Sequence, residues 1–293
     1  MRNFLMSVAL LVFATTAWAH EFVETDYVEM PDLEPEYTTQ SRLGEEIAIA
    51  GNQVLASARS ASGGQGAVFA FDLTADGQLQ FRERLPAQGS TSQFGRQLAA
   101  DGGFAVASAS GSPTLRFFAR SGGTWQQTQQ LELADVPAPA NVFITSIGGE
   151  LAMSGDLLAI GNHEAHVNPG ADQMTTAGAV VLYRRGGNGQ WQFETVVISP
   201  TPASNAHFGS AVAVAGNTLL VGAPGENKAY VFERIGGQWQ LARNLQSPDS
   251  SFGWSVAVSG DLAVVGRGNA ELPGISNAGS FRAYERNLGG TGQ

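Results

Sequence analysis

The sequence predicts an all-β chain folded as a β-propeller of five four-stranded blades, on three observations. An alternating, hairpin-like segment recurs five times, its first glycines spaced by 51, 53, 61 and 44 residues. Each copy is followed by a third apolar run that ends in an aromatic residue, and four copies by a fourth run behind a glycine-containing turn. The composition of 37 Gly, 12 Pro, 14% charged and 43% hydrophobic residues belongs to a turn-rich globular chain, not to a disordered one or a helical bundle. Four strands per unit of about 50 residues is the content of a propeller blade. A length of 293 residues would suggest two domains at about 150 residues each, but a repeat that runs through the chain makes it one.

Residues 1–19 read as an export signal. Arg2 is the positive start, Phe4 to Ala14 are apolar, and Ala17-Trp18-Ala19 is a small-x-small cleavage site. Cleavage after Ala19 leaves residues 20–293 as a single domain, periplasmic or secreted and expected to be a monomer. The chain has no cysteine, hence no disulfide and no lipid-bearing cysteine. No later segment approaches the roughly 18 apolar residues of a membrane span. A net charge of −10 and a pI near 4.8 exclude a basic nucleic-acid surface.

The five copies begin at Leu43-Gly44, Phe94-Gly95, Ile147-Gly148, Phe208-Gly209 and Phe252-Gly253. Each alternates apolar and small residues up to a Gly-Asn, Gly-Asp or Gly-Gly pair, such as Gly216-Asn217, and then resumes as an apolar run. Period-two alternation broken by such a pair is a β-hairpin. The third strands end in Phe71, Phe118, Tyr183, Phe232 and Tyr284, with Arg120, Arg185, Arg234 and Arg286 two positions on and Leu73 in the first copy. The fourth strands carry Leu79 and Leu85, Trp125 and Leu131, Trp191 and Val197, Trp239 and Leu245. The even spacing of six places both members of a pair on one side of a regular strand. The fifth copy has no such strand, and Phe22, Val28, Pro31 and Asp32 repeat the spacing of Trp239, Leu245, Pro248 and Asp249. The N-terminal strand is therefore expected to complete the last blade and close the ring.

Phe208-Gly209 followed by Val221-Gly222-Ala223-Pro224 resembles the FG-GAP repeat of integrin α-subunit propellers and of bacterial secreted proteins. The resemblance covers the mature chain, although the other copies depart from GAP, as at Ser57-Ala58-Arg59 and Gly266-Arg267-Gly268. It implies a propeller, and in integrin-type repeats a calcium loop between the FG and GAP strands. Calcium takes six to eight oxygen ligands. Here that loop has shrunk to pairs such as Gly155-Asp156, so calcium and other cofactors are not expected.

The first-to-second and third-to-fourth connections are short and share one face. The second-to-third and fourth-to-first connections vary, from Ser110-Gly111-Ser112-Pro113 to the stretch Gly161 to Ala177, and share the other. Variable loops on a rigid scaffold are where binding residues concentrate. His163, Glu164 and His166, with Asp172 further along the same loop and His207 in the following inter-blade connection on the same face, are the candidate metal ligands, although solvated loop histidines are the commoner outcome and the metal site is read as none. Trp125, Trp191 and Trp239 keep a fixed repeat position and are expected in blade-to-blade packing; Trp254 is directed either to the channel or to a neighbouring blade. No cysteine, Gly-x-Ser-x-Gly elbow or phosphate-cradling loop is present. The reading is a non-enzymatic exported propeller whose loop-rich face binds a protein or glycan partner. The alternative is a propeller enzyme, a hydrolase or lyase, with its site at the channel mouth.

Overall fold

A computed structural model of the chain describes residues 41–86, 92–109, 114–168, 174–248, 250–268 and 278–286. It is an all-β, five-bladed propeller. The first blade contains β1 (Leu43–Ala50), β2 (Gln53–Ala58), β3 (Ala67–Leu73) and β4 (Leu79–Arg84), and the second β5 (Leu98–Asp101), β6 (Phe104–Ser108), β7 (Thr114–Ser121) and β8 (Thr124–Glu132). A small ribbon of β9 (Val142–Phe143) with β12 (His166–Val167) lies outside the blades. The third blade is β10 (Leu151–Ser154), β11 (Leu157–Asn162), β13 (Ala179–Arg185) and β14 (Trp191–Ile198). The fourth is β15 (Ala211–Ala215), β16 (Thr218–Ala223), β17 (Lys228–Ile235) and β18 (Gln238–Gln246). The fifth comprises, among the described residues, β19 (Ser255–Ser259), β20 (Leu262–Arg267) and β21 (Ser280–Glu285). Every pairing within a blade is antiparallel and sequential, and β1, β5, β10, β15 and β19 pack side by side as the inner strands.

The start of each repeat is an inter-blade clasp. Gln93, His207 and Ser251 hold positive φ angles of 51°, 54° and 61°, and each carbonyl accepts from the amide three residues on. The next residue, Phe94, Phe208 or Phe252, is buried. The amides of Phe94 and Phe208 donate to Gln65 and Ala177 of the preceding blade, at 2.8 and 3.0 Å. Gly209 then donates to the Gly222 carbonyl of its own blade at 2.9 Å. A Cβ on Gly222 would overlap the carbonyl of Gly253 in the next blade. The FG of one repeat thus abuts the GAP glycine of the one before, which only a residue without a side chain permits.

Apolar clusters fill the seams: Leu55, Val68 and Leu85 meet Phe94, Phe118 and Trp125 between the first and second blades. Val180, Leu182 and Val197 meet Phe208, Val221 and Tyr230 between the third and fourth. One expectation fails here. The pairing of β7 with β8 shifts register between Phe117 and Phe118, and equivalent bulges occur in the first, third and fourth blades. An extra residue flips the alternation, so the paired side chains face opposite seams. Trp125 packs toward the first blade and Leu131 toward the third.

The repeated arginines are straps to the preceding blade. Arg120 Nη1 donates to Asn52 Oδ1 at 3.0 Å, and Arg185 stacks 3.5 Å over the Phe104 ring. Arg234 Nε meets Glu194 at 2.7 Å, and Arg286 Nη2 donates to Thr218 at 2.7 Å. The expected N-terminal strand, Phe22 to Asp32, and the leader lie outside the described residues. Phe281 on β21 is 67% exposed and Ile49 on β1 is 70% exposed, so the outward faces of the last and first blades are apolar and open among the described residues.

Candidate functional site

One end of the ring gathers the variable connections. The β9–β12 ribbon ties a fourth-to-first connection to a second-to-third one, which puts both classes of loop on one face as expected. Val142, Ala165 and Ala179 form a small cluster under it. This ribbon was not legible in the sequence, because two-residue strands carry no period. The same face exposes Phe143 (52%) and Trp254 (61%). Trp254 follows the FG of the fifth blade, its amide donating to Ser251 and Gly266.

At the starts of the inner strands, carboxylates of the first and third blades come within electrostatic reach of each other. Glu45 pairs with Arg59 Nε at 2.5 Å and with Arg42 at 3.7 Å. The backbone amide of Glu46 donates to Ser57 Oγ at 3.1 Å. Burial pushes the Glu46 carboxyl above the usual carboxylate range, the charges of Glu150 and Glu45 push it further, and Arg59 opposes them. Glu150 keeps contact with solvent, yet the surrounding protein also raises its pKa by desolvation. Both glutamates stand two residues after the repeat's first glycine, at the start of an inner strand. No local pattern in the sequence signals Glu150, because its approach to Glu46 depends on ring closure and not on spacing.

The histidine candidates are only partly brought together. His163 Nε2 lies 4.0 Å from Glu164, and its ring centroid is 5.9 Å from that of His207, as the shared face suggested. His166 is instead held in β12 opposite Phe143. Among the described residues no three His, Asp or Glu side chains form a metal-binding group, and Asp172 lies outside them. The tryptophans behave as expected of packing residues. Trp125 Nε1 donates to Gln53 of the preceding blade at 2.8 Å, Trp191 lies 5.9 Å from Phe117, and Trp239 Nε1 reaches Glu194 at 3.2 Å.

A cleft of about 310 Å³ lies between the outer strands of the third and fourth blades, lined by Glu194, Val196, Phe232 and Trp239. Its only carboxylate among these, Glu194, already serves Arg184, Arg234 and Trp239. The cleft is part of a seam. It holds no uncommitted acid.

Residues 191–232, from the last strand of the third blade to the third strand of the fourth, match the FG-GAP repeat family. That segment carries an FG-GAP repeat. The match covers the copy in which Phe208-Gly209 and Gly222-Ala223-Pro224 are both complete, and the other blades share its strand order. No curated protein matches the chain. A solved structure described as "a putative 6-phosphogluconolactonase from Bacteroides uniformis" is similar at 15% identity and a TM-score of 0.48, over 69% of this chain and 54% of that one. The chain therefore spans about half the length of that protein. Among the described residues no helix is long and apolar enough to cross a membrane.

Proposed function

We propose that this FG-GAP propeller is an exported, non-enzymatic binding module that engages a protein or glycan partner through its loop face. The observation that carries the reading is the division of labour between the two ends. One end has short turns tied down by arginine straps, whereas the other presents Phe143, Trp254 and the Glu45, Glu46, Arg59 and Glu150 group. Exposed aromatics beside charged groups are the usual anchors of recognition surfaces. Glycan arrays and crosslinking on the mature protein test this. A ligand lost on Phe143→Ala or Trp254→Ala, and retained by a variant on the turn face such as Asn188→Ala, supports it. A ligand that ignores both loop-face changes overturns it. Export itself is tested by whether the mature N-terminus is His20.

No metal belongs to this reading, because the FG-to-GAP turns have too few oxygens for calcium and, among the described histidines, only His163 and His207 approach each other. Elemental analysis is expected to find no stoichiometric metal. About one zinc or calcium per chain, lost on His163→Ala with His207→Ala, would contradict this.

The second reading, a hydrolase or lyase at the channel mouth, is favoured by the raised pKa values of Glu46 and Glu150. A carboxyl that stays protonated above its normal range can act as a general acid. The linkage has a definite sign. A folded-state pKa above the unfolded value favours the folded state below that window and weakens it as pH rises from about 4.5 through the folded pKa. Glu46→Gln and Glu150→Gln are therefore expected to raise thermal stability at pH 7 and to flatten its decline with pH. Turnover of a glycan or ester substrate that both variants abolish would replace binding by catalysis.

A further inference from the structure

At two of the seams a side chain of the outer strand reaches the backbone of the next blade's tryptophan. The residue after the bulge holds this position, and Glu83 opposite Ala70, Gln129 opposite Phe117 and Thr195 opposite Leu182 share its register. Glu83 Oε1 accepts from the Trp125 amide at 3.0 Å. Gln129 makes two bonds. Its Oε1 accepts from the Trp191 amide at 2.9 Å, and its Nε2 donates to the Trp191 carbonyl at 2.9 Å. A primary carboxamide carries an acceptor and a donor side by side, which matches the N–H and C=O that one strand residue turns outward.

The seam between the third and fourth blades lacks that side chain. Thr195 stops at the γ position, where a glutamine continues to its ε oxygen and nitrogen. Trp239 stands opposite Arg234 as Trp191 stands opposite Arg185. The Gly236-Gly237 turn makes Ile235 and Gln238 the closing, hydrogen-bonded pair, so the next residue, Trp239, turns its N–H and C=O away from the ladder. Among the described residues, the third blade reaches Trp239 through Glu194, which accepts from the indole Nε1 at 3.2 Å, and not at its backbone. Where Gln129 fills the neighbouring seam, this one holds the cleft of about 310 Å³. Thr195, Trp239, Val197 and Phe232 line it, and the exposed Gly237 and Gln238 stand at its rim.

We propose that this cleft binds a primary carboxamide on an aliphatic stem, the chemistry of a glutamine side chain, in the place that Gln129 takes one seam earlier. The ligand's oxygen accepts from the Trp239 amide, its NH2 donates to the Trp239 carbonyl, and its stem lies along Val197 and Phe232. A carboxylate fits less well, because it brings no donor for that carbonyl and lies beside Glu194. A trans secondary amide points its N–H and C=O in opposite directions and makes only one of the two bonds. The inference is independent of the partner proposed for the loop face, because the cleft lies between outer strands.

Amide-resolved NMR of the isotope-labelled mature protein, titrated with propionamide, tests it, with N-methylpropionamide and propionate as comparisons. The expected result is a saturable shift of the Trp239 backbone amide. Either comparison compound should bind about tenfold more weakly, through the loss of one hydrogen bond. Thr195→Gln should supply the carboxamide from the chain itself, so that Tm rises and the propionamide response disappears. The reciprocal Gln129→Thr should lower Tm and gain a propionamide response at the Trp191 amide; Thr195→Gln carries the test if Gln129→Thr fails to fold. Free glutamine and the tripeptide Gly-Gln-Gly separate an amino acid from a protein side chain as the source, and the tighter binder names it. A Trp239 amide indifferent to propionamide overturns the proposal, as does a response that survives in Thr195→Gln or is matched by propionate. So does a folded Gln129→Thr without the new response, or the failure of both glutamine probes to bind.

Discussion

The fourth and fifth blades share one consensus and differ in what surrounds it. Phe208-Gly209 and Phe252-Gly253 open them, and both phenylalanines are buried. Beyond that point the blades diverge. All of β16 is buried, whereas β20 is buried only at Val265 and Gly266. Val265 faces the fourth blade and packs with Leu220, Ala229 and Leu245. On the opposite face Leu262 and Phe281 are exposed. Each repeat therefore carries the determinants of one seam, the one toward the preceding blade, and leaves the other face to its successor. The first blade shows the complementary deficit, with Ile47, Ile49 and Phe81 exposed on the face that no described blade covers.

Removing the segment expected to finish the last blade should widen this difference most. Residues Phe22 to Asp32, outside the described residues, match the fourth-strand spacing that β18 fulfils in the fourth blade. Burying Phe22 and Val28 should contribute about 1.5–3 kcal/mol each. Deleting 22–32 is expected to lower Tm sharply and to cause self-association through the edge of β21. A truncated protein that stays monomeric with an unchanged Tm would show that the fifth blade stands without it.

Truncating the two clasp phenylalanines sharpens the comparison. Phe208 sits at zero exposure among Val221, Tyr230 and Phe232, with its amide bound to Ala177. Phe208→Ala should cost about 3–5 kcal/mol. Phe252 is surrounded by half-buried neighbours such as Val256, Ala263 and Tyr284, which can close on a cavity. Phe252→Ala should then cost less, on the order of 2–3 kcal/mol, since the penalty depends on how far the site collapses. Chemical denaturation of both variants checks the ranking. Equal losses would mean that the fifth blade is as tightly enclosed as the fourth.

Blade count, strand order and the one-sided loops were legible because the repeat states them five times. Turn glycines such as Gly216 and Gly260, with φ of 56° and 55°, appear where the two-residue pairs placed them. The bulge was not legible. It adds a residue without changing composition, and it reverses the facing of Trp125 against Leu131. The candidate site was hidden for a different reason. Glu46 and Glu150 are far apart in sequence, and only the ring brings their charges within reach of each other. The straps were visible as a periodic arginine but not as links, since their partners change from Asn52 to the Phe104 ring, Glu194 and Thr218.

The smallest expected difference between the two blades lies in those straps. Arg234 shares Glu194 with Arg184 and Trp239 in a network whose carboxylate is only 14% exposed. Arg286 meets Glu233 at 3.4 Å and Asp261 at 3.5 Å, with all three side chains roughly a third or more exposed. Exposed pairs contribute about 0.2–1 kcal/mol and are screened by salt, whereas partly buried and shared ones are screened less. Arg286→Met should therefore lower Tm slightly at low salt, and the difference from the parent should fade near 1 M salt, where the Debye length is about 3 Å. Arg234→Met should cost more and keep most of its effect in salt, because it strips one of the donors that hold a largely buried carboxylate. Equal salt sensitivity of the two variants would place both straps in solvent and remove the distinction between a complete seam and an incomplete one.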